Sequence, residues 1–309
     1  MLQESPTGRA GPGGSITAGP VTVAELQAAL RAVWAGEFRT GNAQPTTRAR
    51  PPHHRPVWAM SGPVVMVLGC HGGAGASTLA LAVAEAVVER PGWSARLLDC
   101  ASPERSGLLT AVEADLGADS SGWRQGRRAR LPIDRAGHTL ASAADIPAPP
   151  EQPLGQRGVS VLDAGWTLSD VLTGDCWLTQ GFESAALVLV ARATVPGLRH
   201  LERALATCPG APVVALVGGH TRWARSVNAT AGPLLDAARN AGRVVDVATD
   251  RRLAASGISS APLPKAMVIS GRQVLAGALA AGGTGGAQQG GMPATHIASV
   301  DPSRNGALK

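Results

Sequence analysis

Between Val64 and Val87 the chain reads VVMVLGCHGGAGASTLALAVAEAV. Gly72, Gly73, Ala74 and Gly75, followed by Ala76, Ser77 and Thr78, stand between an apolar run of strand length and a pattern of helical period. A glycine-rich turn that opens a helix presents successive backbone N–H groups to one anion, so the chemistry indicated is phosphate binding. Against the strict pattern G-x-x-x-x-G-K-[ST] the chain keeps Gly75 and Ser77, but has Cys70 for the first glycine and Ala76 for the lysine. His71, just before the glycines, could contact phosphate when protonated. The bland alternative is a tight strand-to-helix turn with no ligand.

Two later apolar runs end in aspartate: RLLDC at Asp99 and VSVLDAG at Asp163. In an open parallel sheet, residues at strand carboxyl ends meet in the ligand crevice. Asp99 and Asp163 beside the Ser77 hydroxyl are the parts that would hold Mg²⁺ or its water shell; the alternative is a pair of exposed strand ends. A lysine-to-phosphate contact contributes about 1.5 to 3 kcal/mol, so its loss weakens nucleotide binding by roughly tenfold to a few hundredfold. Hydrolysis suffers more, because stabilising the charge of the transition state is most of what such a site does.

The stretch GWRQGRRARLPIDR carries Arg124, Arg127, Arg128, Arg130 and Arg135 with Trp123 beside them. Arginine suits phosphate recognition and an aromatic ring can stack on a base, so nucleic acid or an anionic lipid surface is one reading. A solvated loop or an amphipathic strand is the other.

The elements that must position these residues follow from periodicity. VVMVLG, ARLLDC, VSVLDAG, AALVLVAR, PVVALVGG and GRVVDVATD read as strands. Helices are expected from Ser77 to Glu89, over ERSGLLTAVEADLG, from near Pro196, from near Thr221, and over RRLAASG. Continuous apolar strands alternating with helices predict an α/β three-layer sandwich with a mostly parallel central sheet. This domain is expected over residues 62–280. Residues 1–20 read as disordered, and residues 21–40 as an amphipathic helix with Val23, Leu26, Leu30, Val33 and Trp34 on one face. Residues 41–61 form a Pro/Arg-rich linker, and residues 281–309 a disordered Gly-rich tail.

Composition bounds the answer. The chain has 309 residues, 44% of them apolar, which is enough for a core. Its net charge of +6 favours acidic partners. Four scattered cysteines, with no C-x-x-C and no histidine at metal spacing, suggest neither a zinc site nor a disulfide framework. The amino terminus lacks a signal-peptide layout, and no apolar run approaches the roughly 18 to 20 residues a membrane span needs. A cytoplasmic protein is expected.

CHGGAGASTLALAVAEAV, ARLLDCASPERSGL, VSVLDAG and VVDVATDRRLAASG fall in the order and spacing of the ParA/MinD family of deviant-Walker ATPases, which the chain resembles over Val64 to Val274. The resemblance implies a P-loop NTPase fold that binds ATP and Mg²⁺. It matches Gly72, Gly73 and Gly75 to the loop glycines, Ser77 to the metal-contacting hydroxyl and Thr78 to the hydroxyl after it. Asp99 matches the acidic residue after the second strand, and Asp163 the Walker B aspartate, catalytic if the site is active. His71 and Ala76 stand where the family has its two lysines, and Gly218-Gly219 replaces an asparagine that often reads the base. The wording G-G-x-G-A-S-T is similar to the CpaE/TadZ proteins of pilus assembly and the septum-site-determining proteins.

The resemblance implies a localisation or assembly factor with a protein partner, a degenerate Walker A motif and little or no ATP hydrolysis. In the family ATP is sandwiched in a homodimer, an expectation that His71 weakens, and the region between Asp99 and Asp163 holds a nucleotide-responsive switch. Two alternatives stay open. One is a weak ATPase that positions DNA or a pilus or conjugation secretion machine. The other is a nucleic-acid-binding module using the Arg124–Arg135 stretch, with the glycine loop merely structural.

Overall fold

The computed structural model describes residues 57–60, 62–150, 157–219 and 223–283. The expected helix over residues 21–40, the leading segment and the tail beyond residue 283 lie outside them.

The apolar runs form the strands expected of them: β1 Val64–Gly69, β2 Ser94–Asp99, β6 Gly158–Asp163, β7 Ala186–Arg192, β8 Val213–Val217 and β9 Val244–Val247. Three more strands, β3 Ala114–Ala118, β4 Trp123–Arg128 and β5 Leu131–Ala136, come from the stretch with the weakest periodicity. All nine join one sheet in the order β3-β4-β5-β2-β6-β1-β7-β8-β9. From β5 to β9 every pairing is parallel, while β3, β4 and β5 form an antiparallel meander at one edge.

Helices cover both faces. They are α1 Ala76–Val88, α2 Leu168–Thr173, α3 Trp177–Gln180, α4 Val195–Thr207, α5 Arg225–Asn228, α6 Pro233–Asn240, α7 Arg251–Ser256 and α8 Lys265–Gly283. Alternation along β1 divides the core. Val65 and Val67 face α1 and α8, whereas Met66 and Leu68 face the layer that holds α2, α3, α4 and α6. The three-layer, mostly parallel sandwich expected from the periodicity is what forms. α8 packs along α1, and Gly271 allows the approach: a Cβ there would lie 2.4 Å from the Ala82 carbonyl oxygen.

Two expectations fail, each for a local reason. Residues 104–113 are turns and irregular backbone leading into β3, which begins at Ala114, so no helix forms there. Side chains divert that backbone: Ser106 Oγ accepts from the Leu108 N–H at 3.0 Å, and the Thr110 hydroxyl donates to the Ile258 carbonyl at 2.5 Å. Of the two bland readings of the arginine stretch, the amphipathic strand is the one that forms, as β4 and β5. The linker also ends earlier than residue 61. The Trp58 ring lies 5.8 Å from that of Trp177, and its backbone N–H donates to Gln180 Oε1 at 3.0 Å.

Candidate functional site at the carboxyl end of the sheet

β1 is fully buried along Val64–Leu68 and delivers the chain to the carboxyl end of the sheet, where the glycine loop turns it into α1. Gly73 and Gly75 adopt φ of +71° and +97°, values that side chains with a Cβ rarely take. A Cβ at Gly72 or Gly73 would meet nothing within 4 Å, so the loop backbone is open to a ligand. Behind it the first-turn amides of α1 have no intrahelical acceptor, which leaves them available to an anion.

The loop is one wall of a cavity of about 590 Å³, within the range of small-ligand sites. Gly72, Gly73, Ala74, Gly75, Ala76, Ser77, Thr78 and His71 all line it, as does Asp163. Val217, Val247, Thr249, Asp250, Leu253, Ile258 and Met267 line it as well. Asp250 is committed there as the cap of α7, accepting the Leu253 N–H at 2.8 Å.

Asp99 and Asp163 sit side by side, paired in register on adjacent strands β2 and β6. Their surroundings separate them. Asp99 is fully buried and does not line the cavity; one oxygen accepts the Ala101 N–H at 3.1 Å and the other the Ser106 hydroxyl. The expectation that Asp99 holds a metal is thereby corrected: its oxygens are spent on folding back the loop that follows β2. Asp163 lies beside Ser77 and Gly165, and its Oδ2 is buried with no hydrogen-bond partner among the described residues. Burial raises both carboxyls well above the ordinary carboxylate value, and the charge of Asp163 raises Asp99 further. Ser77 and Gly165 work against that rise at Asp163.

A carboxylate and a serine hydroxyl lining one cavity with a glycine-rich loop are a donor set that fits Mg²⁺. This ion takes hard oxygen ligands, commonly one or two carboxylates with phosphate and water completing the shell. Among the described residues no group of three or more His, Cys, Asp or Glu side chains could hold a metal by itself. Ser77 and Asp163 would therefore share the ion with phosphate.

Both ring nitrogens of His71 contact backbone at the loop. Its Nδ1 lies 2.9 Å from the Gly72 carbonyl, and its Nε2 accepts the Arg192 N–H at 3.4 Å.

The arginine stretch divides in the same way. Arg128, on an inward position of β4, is 4% exposed. Its Nε–H donates to Glu85 at 2.6 Å, and its terminal nitrogens donate to the carbonyls of Ala111, Ser259 and Ala261. Trp123 is wholly buried, with its ring N–H on the Ala148 carbonyl. Neither is available to a nucleic acid or a lipid, which corrects that expectation for Arg128. Arg124 is exposed and paired with Asp115 at 2.7 Å, and Arg127 and Arg130 are exposed.

Sequence reasoning passed over Arg105, Trp166 and Arg192, which also line the cavity. Arg192 carried a readable signal, since it closes the apolar run ALVLVAR at the carboxyl end of β7. Arg105 carried none, because a helix was expected there.

No protein-family model matches the chain, and no curated protein matches it. Solved structures do. A ParA family ATPase from Chlorobium tepidum TLS is 15% identical over 69% of this chain and 92% of its own, with a TM-score of 0.38. Apo McdA from Cyanthece is 11% identical over 70% and 99%, with a TM-score of 0.47. A chain of the MinC:MinD cell division protein complex from Aquifex aeolicus is 12% identical over 70% and 96%, with a TM-score of 0.41. At such identities the likeness concerns the fold alone. The three-layer, mostly parallel sandwich expected from the periodicity is the fold observed, and its glycine loop and Asp163 line one cavity.

Proposed function

We propose that the chain binds a nucleoside triphosphate with Mg²⁺ and acts as a localisation or assembly factor with little or no turnover. The observation that carries this reading is that Asp163, Ser77 and the open glycine loop at the start of α1 line one cavity.

In this reading the loop amides and the start of α1 orient the terminal phosphates, while Ser77 and Asp163 hold the cation. When bound, Mg²⁺ would neutralise phosphate charge. Ala76 offers nothing to the charge that spreads over the transferred group, so binding survives and hydrolysis does not. Such a domain changes state by filling and emptying its cavity, which suits a positioning role with a protein partner. That role is the one implied by the resemblance to the CpaE/TadZ and septum-site-determining proteins. Pilus, septum and conjugation assemblies, DNA, an anionic membrane and a second copy of this chain are the candidate partners. No described helix is long and apolar enough to cross a membrane, and a cytoplasmic location remains part of the proposal.

ATP titration by calorimetry, with and without Mg²⁺, tests the reading together with a phosphate-release assay. Saturable Mg²⁺-dependent binding without release supports it. Release that is lost in Asp163→Ala would instead establish the weak-ATPase alternative.

A further inference from the structure

The loop has lost its lysine, yet the cavity has not lost its cations. Arg105 and Arg192 both line it, one on each side of the glycine loop. They arrive from opposite directions along the sheet order β2-β6-β1-β7: Arg105 on the loop after β2, and Arg192 at the end of β7. Neither guanidinium forms a salt bridge with a described carboxylate.

Both are held in place. The Arg105 guanidinium carbon stands 4.7 Å above the Trp166 ring, and that ring is fixed by its N–H on the Cys100 carbonyl at 3.0 Å. The Arg105 loop is itself pinned by Asp99, which accepts from Ala101 and Ser106, and by Ser102 Oγ, which accepts the Leu140 N–H at 2.8 Å. Gly107 seats the loop against the metal-side hydroxyl, since a Cβ there would fall 2.8 Å from the Ser77 Cβ. On the other side the Arg192 backbone is clamped, its N–H to His71 Nε2 and its carbonyl to the Thr194 N–H at 2.8 Å. In the sheet order Asp163, at the end of β6 and lining the same cavity, lies between them.

We infer that Arg105 and Arg192 supply the phosphate-binding charge that the loop lysine would otherwise provide, flanking the polyphosphate from the two sides of β1. Guanidinium suits this role because it stays charged and its planar fork can meet two phosphate oxygens at once. The inference rests on the proposed nucleotide site.

The test is calorimetric titration of the full chain with ATP and, separately, with inorganic tripolyphosphate, for the wild type, Arg105→Ala, Arg192→Ala and the double variant. Each single change is expected to weaken both ligands by roughly tenfold to a hundredfold. The slope of log affinity against log salt should flatten with each change. Ala76→Lys added to the double variant should recover much of the affinity. Both arginines are exposed, so unchanged urea midpoints are expected and separate binding from folding. Wild-type ATP binding that both variants retain, with an unchanged salt slope, overturns the arginine assignment and leaves the nucleotide reading standing. Tripolyphosphate binding that depends on the arginines, with ATP no tighter, supports the assignment and overturns the nucleotide reading. A wild type that binds neither ligand overturns both.

Discussion

Asp99→Asn separates two accounts of the buried aspartate pair. If Asp99 were a cation ligand, the variant would lose Mg²⁺. In the structure Asp99 instead anchors a loop while its charge is unwelcome, buried against Asp163. The folded state therefore holds the Asp99 proton more tightly than the unfolded chain does. Its contribution to stability is fully present below the ordinary value of 3.8 and is lost as the pH rises towards neutrality. A shift of one pKa unit corresponds to about 1.4 kcal/mol, so with the repulsion shared between the two carboxyls the neutral variant gains about 1 to 3 kcal/mol at about pH 8. Near pH 4 or below the gain vanishes, because the wild-type carboxyl is protonated there too. Asparagine keeps the geometry, since its oxygen still accepts the Ala101 N–H and its amide can donate to the Ser106 hydroxyl oxygen. Urea unfolding of both proteins without Mg²⁺, at about pH 4 and about pH 8, reads the difference in midpoints. A variant destabilised at both pH values, or one whose nucleotide affinity no longer responds to Mg²⁺, would refute the reasoning.

Other outcomes follow from single contacts. Ala76→Lys puts a cation into the cavity wall and should tighten ATP about tenfold to a hundredfold by calorimetry. Arg128→Ala leaves Glu85 and three carbonyls without their donor, and should lower stability by about 3 to 5 kcal/mol in urea unfolding. Gly165→Ala must fit a Cβ 2.4 Å from that of Ala101, at a φ of +67°, and should cost about 2 kcal/mol or more by the same measurement. Mg²⁺ affinity in the presence of ATP should rise from about pH 6 to about pH 8, because burial makes Asp163 hold a proton that the ion must displace.

The parallel part of the sheet was readable because its strands are buried on both faces and are therefore continuous apolar runs. The glycine loop was readable because its turn needs glycines at particular positions. The meander was not, since an inward position of β4 is filled by Arg128, whose charge is satisfied by Glu85 and by carbonyls distant in sequence. No local pattern announces such a partner. The segment after Asp99 misled for the opposite reason. Leu108, Leu109 and Val112 have a spacing compatible with a helix, but Ser106 and Thr110 spend their hydroxyls holding a turn. The same residues explain why Asp99 and Asp163 look alike in sequence and differ in space: Ser106 reaches one and not the other.

The central claim is a site that holds nucleotide without cutting it. Calorimetric titration of ATP into the full chain, with Mg²⁺ or with chelator, and phosphate release followed on the same sample, tests that claim directly. The account predicts saturable binding that strengthens with Mg²⁺, loses the Mg²⁺ response in Asp163→Asn, and yields no phosphate above the no-protein control. Absence of binding, or release that follows the bound fraction and disappears in Asp163→Asn, would contradict it.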